Sequence, residues 1–358
     1  MLNNKNILVT GAAGFIGFHL CRKLIESGYN VVGYDNMNHY YNVFLKELRL
    51  QKLGIDKITF KNKKIDSSKH ENFSFYKSSI LNYESLHECV NKNKIDIIIN
   101  LAAQAGVRHS LKHPHDYISD NISGFLNILE VSRYCQIKHL IYASSSSVYG
   151  LNENLPFETR HSTDHPTSIY GASKKSNELF AHSYSHLYGV HTTGLRFFTV
   201  YGPYGRPDMA LFLFLKAMID NKEIKLFNNG KMARDFTYVD DIVQTIETIA
   251  SKDFIKKDWD PTNPNLFNSS APYRVYNIGN NKSVKLTDFL NELELKLNKK
   301  AKIKLMPMQP GDVKQSHANV DDLVNDFDYR PNTPVKYGIS EFVDWYIEHQ
   351  EILEKNGI

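Results

Sequence analysis

The chain has 358 residues, of which 42% are hydrophobic and 23% are charged, with 43 lysines and arginines against 39 aspartates and glutamates. This composition is typical of a globular protein, and it excludes a disordered, collagenous or disulfide-stapled chain. The net charge of +4 comes without a long block of basic residues, so no nucleic acid and no membrane is predicted as a partner. The length suggests about two domains.

Cysteine content and the N-terminal segment indicate the compartment. The three cysteines are far apart in sequence, which predicts reduced thiols and neither a disulfide framework nor a metal site. The apolar stretch from Ile7 to Leu20 is interrupted by Gly and His, and it is too short to span a bilayer. We therefore expect a cytoplasmic protein.

The first half of the chain alternates between strand-like and helix-like segments. Four short apolar runs have the character of buried parallel strands, at residues 5–10, 30–34, 95–101 and 139–144. Apolar residues recur at helical spacing from Phe15 to Ser27, and helix-like segments lie before and between the later runs. This repetition predicts an α/β fold with a Rossmann-type, doubly wound parallel sheet.

Two segments depart from that rhythm. Residues 52–78 are rich in Lys, Asn and Ser, which predicts a surface insertion between the second and third strands. From about residue 200 the pattern becomes irregular, with repeated Pro and Gly turns. We expect a smaller C-terminal α/β substrate domain there.

A glycine-rich segment, Gly11-Ala-Ala-Gly14-Phe-Ile-Gly17, connects the first strand to the first helix. The first glycine permits a tight turn, the second lets the backbone approach a pyrophosphate, and the third lets helix and strand pack closely. A phosphate would then lie at the helix N-terminus. Asp35 ends the second strand, where a carboxylate can accept both ribose hydroxyls and repel the extra phosphate of NADP. We therefore predict NAD as the cofactor.

Two polar motifs predict acid–base chemistry. Tyr170-Gly-Ala-Ser-Lys174 places a phenol and an ammonium four residues apart, on one face of a helix. A tyrosine with an ordinary pKa of ~10 is a poor base at neutral pH, but a nearby Lys and a nicotinamide ring both favour the phenolate. A run of four serines, Ser144 to Ser147, follows the strand at 139–144, at the sheet edge where ligands bind in this fold.

These motifs together resemble the extended short-chain dehydrogenase/reductase family, in its NAD-dependent epimerase/dehydratase group. The resemblance rests on the Gly-x-x-Gly-x-x-Gly spacing, on Asn100-Leu-Ala-Ala-Gln104 and on the Tyr170–Lys174 motif. It implies that Ser145 hydrogen-bonds the reacting hydroxyl, that Tyr170 is the base and that Lys174 orients it. The implied cofactor-binding residues are Gly11, Gly14, Phe15, Ile16, Gly17, Asp35, Asn36, Ile80, Leu101, Ala102, Ala103, Gln104, Asn121, Tyr170 and Lys174.

The chain differs from the family pattern at two positions that bear on function. Ser79 stands where the family usually has an Asp that holds the adenine amino group, so adenine should be anchored more weakly or by backbone. Dehydratases of the group place Asp-Glu directly after the catalytic serine, whereas Ser146-Ser147 stands here, so the acid for elimination is missing. The resemblance therefore implies 4-epimerisation through a 4-keto sugar, and it disfavours both a 4,6-dehydratase and a non-catalytic NAD(H)-binding protein.

The C-terminal half resembles nucleotide-sugar sites. Arg234 to Asp240 is similar to an element whose Arg contacts the diphosphate, and residues 309–312 resemble a loop whose Asp meets the nucleotide ribose. Residues 196–210 closely resemble the RYFTVYGP…GRPDMA stretch of UDP-glucuronate 4-epimerases. The implied substrate-binding residues are Arg108, Ser145, Ser146, Ser147, Thr199, Arg206, Arg234, Gln309 and Asp312.

The resemblance implies that Arg206 holds the C6 carboxylate of UDP-glucuronate. A neutral hydroxymethyl group would leave this Arg buried and unpaired, at a cost of several kcal/mol. The alternative is a UDP-N-acetylglucosamine or UDP-glucose 4-epimerase in which Arg206 is a solvated loop residue.

The resemblance also implies a domain division and an assembly. Residues 1–198 are expected to form the NAD-binding Rossmann domain, with a returning segment around 236–278. Residues 199–235 and 279–358 are expected to form the nucleotide-sugar-binding domain. We further expect a homodimer that makes a UDP-sugar for surface polysaccharide synthesis.

Overall fold

The computed structural model describes residues 5–56, 58, 61–253, 258–309 and 311–358. Its strands are β1 (Asn6–Thr10), β2 (Asn30–Asp35), β3 (Lys64–Asp66), β4 (Phe73–Lys77), β5 (Ile97–Asn100), β6 (His139–Ser145), β7 (Thr192–Phe197), β8 (Thr199–Tyr201), β9 (Glu223–Leu226), β10 (Ala233–Tyr238), β11 (Tyr273–Ile278), β12 (Ser283–Lys285) and β13 (Lys302–Leu305). Its helices are α1 (Phe15–Glu26), α2 (Phe44–Lys52), α3 (Tyr83–Lys92), α4 (Val107–Ser110), α5 (Pro114–Tyr117), α6 (Gly124–Tyr134), α7 (Ile169–Tyr188), α8 (Ala210–Ile219), α9 (Val239–Ser251), α10 (Leu286–Leu297), α11 (Asp321–Phe327) and α12 (Val335–Lys355).

Eight of the strands form one sheet in the order β11-β7-β6-β5-β1-β2-β4-β3. Neighbouring strands are parallel except at the edge, where β3 runs antiparallel to β4. Side chains alternate between the two faces: Ile7 and Val9 belong to one core, which includes α1 and α9, whereas Leu8 belongs to a second core, which includes α3 and α6. This arrangement confirms the predicted α/β fold with a doubly wound parallel sheet.

The remaining strands lie outside the main sheet. β12, β10 and β8 form a three-stranded sheet, and β13 pairs with β9. In contrast, β11 returns to the main sheet beside β7, and α9 packs on α1. The predicted division into a cofactor domain and a substrate domain stays a prediction.

The predicted surface insertion at residues 52–78 is partly wrong. Phe73–Lys77 is the buried strand β4, which pairs in parallel with β2 along its whole length. Phe73 and Phe75 are 2% and 0% exposed, so their burial outweighs the polar composition around them. Lys57, Thr59 and Phe60 of the same segment lie outside the described residues.

The parallel strands place their carboxyl ends at one edge of the sheet. Thr10, Asp35, Asn100 and Ser145 end β1, β2, β5 and β6, and the turns that follow are adjacent. Ligands bind at this edge in open α/β sheets. Within the described part of the chain, no helix is long and apolar enough to cross a membrane.

Candidate active site

A cavity of about 610 Å³ opens at the carboxyl edge of the sheet. It brings together residues from both halves of the sequence. The predicted site residues that line it are Gly11, Gly14, Phe15, Ile16, Gly17, Asp35, Asn36, Ile80, Leu101, Ala102, Ala103, Gln104, Arg108, Ser145, Ser146, Ser147, Tyr170, Lys174, Thr199, Arg206, Arg234 and Asp312. Asn121 and Gln309 are the two predicted site residues that do not line this cavity.

The glycine turn packs too closely for a side chain at any of its three glycines. Gly11 has φ +72°, and a Cβ added there would lie 2.9 Å from the backbone N of Ala102. A Cβ on Gly17 would lie 2.0 Å from the carbonyl oxygen of Gly11. The helix α1 then begins after Gly14, without a side chain that caps its N-terminus. The first backbone N–H groups of α1 have no carbonyl partner within the helix, so this helix N-terminus fits the diphosphate of a dinucleotide.

Asp35 holds a fixed carboxylate at the end of β2. It is 7% exposed, and it accepts hydrogen bonds from the backbone N–H groups of Ala13 at 3.2 Å and Met37 at 2.8 Å. Lys46, which the sequence analysis missed, lies 3.7 Å from Asp35 and also lines the cavity. A lysine in a helix usually faces solvent, so its sequence position gave no signal.

At the adenine end predicted from the sequence, Ser78 lines the cavity together with Ile80 and Asn36. Its hydroxyl group is 3.0 Å from the Ser85 hydroxyl. Ser79, which stands at the expected Asp position, is not among the cavity-lining residues.

Asn121 lies behind the turn that follows β5. Its side chain accepts a hydrogen bond from the backbone N–H of Gln104 at 2.7 Å and donates to the Gln104 carbonyl at 3.0 Å. It also donates to the hydroxyl of Ser173 on α7 at 3.0 Å. Asn121 is therefore placed to act on the cavity through Gln104, by fixing that turn to α7.

Tyr170 and Lys174 project from the first turns of α7 toward Ser145 at the end of β6. Ser168 caps this helix by accepting a hydrogen bond from the backbone N–H of Gly171 at 3.1 Å. The Ser145 side chain lies close enough to the Tyr170 hydroxyl to favour its phenolate, and Lys174 donates to the carbonyl of Ala143 at 2.9 Å. The three predicted catalytic residues thus lie together.

The electrostatics of this group differ from the sequence-based expectation. Burial raises the pKa of Tyr170 above its ordinary value, although the hydrogen bond with Ser145 and the charge of Arg206 oppose the shift. Burial also lowers the pKa of Lys174 to about 8. The expected lowering of the Tyr170 pKa is therefore not achieved by the side chains alone, because desolvation outweighs the nearby positive charge.

A buried ion pair lies next to Ser144, the first residue of the serine run, and hydrogen-bonds to it. Glu178 on α7 and Arg196 on β7 are 1% and 0% exposed, and two hydrogen bonds of 2.8 and 2.9 Å join them. Ser144 donates to Glu178 at 2.7 Å, and Arg196 also donates to the Tyr149 hydroxyl at 3.0 Å. The pair was missed because Arg196 was considered only as part of a longer motif.

Arg206 is paired with a carboxylate of its own chain. Its Nε and Nη2 donate to Oδ1 and Oδ2 of Asp208 at 3.0 and 2.6 Å. Tyr40 lies beside the pair, with its hydroxyl 3.0 Å from Asp208 and 3.3 Å from Arg206. The expectation that Arg206 would be unpaired without a charged sugar is therefore wrong, because Asp208 already satisfies it.

The far end of the cavity carries two further arginines. Arg108 donates to the carboxylate of Asp312 at 3.0 Å, and Arg234 donates to the carbonyl of Val313 at 2.6 Å. Burial lowers the pKa of Arg234; the Asp312 carboxylate opposes this shift, and the charge of Arg108 adds to it. Two neighbouring arginines that share the single carboxylate of Asp312 leave positive charge for an anionic ligand such as a diphosphate. The Oε1 atom of Gln309 is buried, and it has no hydrogen-bond partner among the described residues.

Arg49, which was also missed, joins the glycine turn to the loop before Arg206. It is fully buried, and it donates to the carbonyl of Ala13 at 2.9 Å in the glycine turn. It also donates twice to the carbonyl of Tyr204, at 3.1 and 2.7 Å. Tyr204 lies two residues before Arg206, so one guanidinium couples the glycine turn to the loop that carries Arg206.

Comparisons with known proteins identify the family to which the chain is similar. The sequence model of the NAD-dependent epimerase/dehydratase family matches residues 7–279. Protein CapI of Staphylococcus aureus is 52% identical over 344 residues, which cover 96% of this chain and 98% of that protein. A probable UDP-glucuronate 4-epimerase of Rhizobium meliloti is 40% identical over 348 residues, covering 95% of this chain and 96% of the relative.

Among solved structures, a UDP-glucuronic acid 4-epimerase from Bacillus cereus, in complex with UDP-glucuronic acid and NAD, has a TM-score of 0.82 against this chain. The two are 31% identical in sequence, and the match covers 96% of this chain and 99% of the other.

Proposed function

Because the chain belongs to the NAD-dependent epimerase/dehydratase family, we propose that it interconverts UDP-glucuronate and UDP-galacturonate by inverting C4 of the sugar, with NAD as its cofactor. One observation carries the choice of substrate: Arg206 and the serines at 145–147 line the same cavity as Tyr170. A guanidinium and several hydroxyls suit a sugar carboxylate. The similarity to the Rhizobium and Bacillus enzymes supports the same substrate.

The cofactor would lie along the edge of the sheet. The glycine turn would hold its diphosphate, and Asp35 would accept hydrogen bonds from a ribose. Bound NAD would supply an acceptor and then a donor for the hydrogen at C4 within one turnover, so that the reaction involves no net redox change.

Tyr170 moves the proton of the C4 hydroxyl in this proposal. Its phenolate accepts the proton as C4 becomes a ketone, and the phenol returns it when the alcohol forms again. Ser145 lines the same cavity as Tyr170, so its hydroxyl is placed to hold the reacting oxygen. Lys174 is fixed by the Ala143 carbonyl, and its positive charge favours the phenolate.

Inversion requires the 4-keto sugar to present its other face, while the nucleotide stays bound. Arg234 and Arg108 would anchor the diphosphate at the far end of the cavity. The 4-keto uronate is a β-keto acid, which loses CO₂ readily when its carboxylate is free to turn. Contacts from Thr199, Arg206 and the serines would hold that carboxylate and so resist decarboxylation.

One observation favours a second candidate, a UDP-hexose or UDP-N-acetylhexosamine 4-epimerase. Asp208 pairs with Arg206, so a neutral sugar in the cavity would not leave this cation uncompensated. Cytoplasmic location, a homodimer and a role in surface polysaccharide synthesis stay predictions from the sequence.

The experiment is a product assay with the purified protein and NAD. UDP-glucuronate, UDP-glucose and UDP-N-acetylglucosamine are supplied separately, and the products are resolved by chromatography and NMR. We expect UDP-galacturonate as the main product, and a Tyr170→Phe variant that retains NAD but turns over ~10²–10⁴-fold more slowly. Formation of UDP-galactose without UDP-galacturonate would establish the second candidate, and near-normal turnover by Tyr170→Phe would refute the catalytic assignment.

A further inference from the structure

Arg206, Asp208 and Tyr40 form a closed cluster at the wall of the cavity. The two parallel hydrogen bonds from Arg206 to Asp208 form a fork, which is the geometry an arginine adopts with any carboxylate ligand. Tyr40 donates to the same Asp208 oxygen and lies edge-on to the ring of His109. All three side chains of the cluster line the cavity.

We propose that Asp208 is an internal carboxylate that competes with the substrate for Arg206, and that this competition sets how strongly the protein distinguishes uronates from neutral hexoses. The inference rests on the proposed function, because it assumes that the sugar lies beside Arg206. It gives a specificity role to Asp208 and Tyr40.

The geometry allows a competition because Asp208 occupies the Nε–Nη2 edge of Arg206, which is one of the two edges that can bind a carboxylate in a bidentate way. A uronate at Arg206 therefore either displaces Asp208 from this edge or binds a guanidinium whose charge Asp208 already compensates. Asp208 is 37% exposed, and it lies in the loop before α8, so it can turn toward solvent without opening the core. Arg206 is 19% exposed and keeps its place over the ring of Tyr40.

The charge balance shows what the exchange costs. A bound uronate replaces one Arg206–carboxylate pair by another. The gain in binding free energy is therefore smaller than it would be if Arg206 had no internal partner. A neutral sugar leaves the Arg206–Asp208 pair intact and meets no buried unpaired cation. Asp208 thus weakens the binding of a uronate and removes the penalty for a neutral sugar, so the two sugars bind with more similar affinities. The Arg206 charge holds the pKa of Asp208 below its ordinary value despite burial, so the competitor is ionised at neutral pH.

The test measures binding, which does not depend on turnover. In a Tyr170→Phe background, calorimetry gives the dissociation constants of UDP-glucuronate and UDP-glucose. We expect Asp208→Asn to raise the ratio of the UDP-glucose constant to the UDP-glucuronate constant by ~10-fold or more, because Arg206 loses its internal partner. Tyr40→Phe, which removes one hydrogen bond from Asp208, should raise the same ratio more weakly.

An Arg206→Gln background serves as the control, because it distinguishes an effect through Arg206 from a general structural effect of Asp208→Asn. With Arg206→Gln also present, Asp208→Asn should leave the ratio unchanged, since the group for which the carboxylates compete is absent. An unchanged or lower ratio in Asp208→Asn, or an equal rise in the Arg206→Gln background, would overturn the proposal. If Asp208→Asn does not fold, Tyr40→Phe decides in its place, and an unchanged ratio there overturns the proposal equally.

The outcome is distinguishable from that of the proposed function. Turnover of UDP-glucuronate by the wild-type protein tests the reaction, whereas the ratio of binding constants tests Asp208. A protein that does not epimerise UDP-glucuronate but still shows the rise in Asp208→Asn would contradict the reaction and support the competition.

Discussion

Removing the carboxylate of Glu178 should destabilise the protein severely, because it leaves the Arg196 guanidinium buried without a counter-ion. Both side chains are at most 1% exposed, and two short hydrogen bonds join them. Breaking a buried pair by removing one partner costs about 3–5 kcal/mol. Arg196 keeps two other acceptors, the Tyr149 hydroxyl and the Thr159 carbonyl, which favours the lower part of that range. The lost hydrogen bond from Ser144 adds about 1 kcal/mol. We therefore expect Glu178→Ala to lower the free energy of unfolding by about 4 kcal/mol.

The assay is urea unfolding followed by circular dichroism, at one fixed NAD concentration because a bound ligand shifts apparent stability. Glu88 is the control, since it pairs with Lys92 one turn away on an exposed face of α3, and Glu88→Ala should not change the unfolding midpoint measurably. Glu178→Gln keeps an oxygen that can accept hydrogen bonds from Ser144 and Arg196. Its loss of unfolding free energy should therefore lie between those of Glu88→Ala and Glu178→Ala. A Glu178→Ala variant as stable as Glu88→Ala would refute the reasoning.

Two further perturbations follow from the geometry. Asp35→Ala should weaken NAD binding and improve NADP binding relative to NAD, because Lys46 would then face the additional phosphate without a competing carboxylate. Titration of the protein with each cofactor measures this selectivity. An unchanged selectivity would remove Asp35 from the cofactor site. Burial raises the pKa of Asp235 to about 6. The folded state therefore binds this proton more tightly than the unfolded state does, and the associated stability is lost as pH rises through about 6. Wild type should lose roughly 3 kcal/mol relative to Asp235→Asn between about pH 4 and pH 7 in urea unfolding, and a constant difference would contradict the shift.

The sequence predicted those parts of the site that depend on local pattern. Strand ends, a glycine turn and the Tyr170–Lys174 spacing are each visible within a few residues, and the parallel sheet brings them to one edge. This explains why most of the predicted residues line one cavity, and the family match confirms the resemblance that these motifs suggested.

The parts that were missed depend on contacts between distant segments. Lys46 on α2 lies near Asp35 at the end of β2. Glu178 on α7 pairs with Arg196 on β7. Hydrophobic periodicity reports which face of an element is buried, but it does not identify the partner of a buried charge. Asp208 was overlooked for another reason: an acidic residue in a Pro/Gly loop has the composition of any solvated turn.

Arg49 has a consequence for how the substrate loop can vary. In the glycine turn and in the loop before Arg206, it binds backbone carbonyl oxygens, those of Ala13 and Tyr204. A carbonyl oxygen is the same for every amino acid, so side chains in the loop can be exchanged while the spacing between the glycine turn and the loop is preserved. We therefore expect side-chain substitutions in the loop before Arg206 to leave the glycine turn in place as long as Arg49 and the path of the backbone are kept.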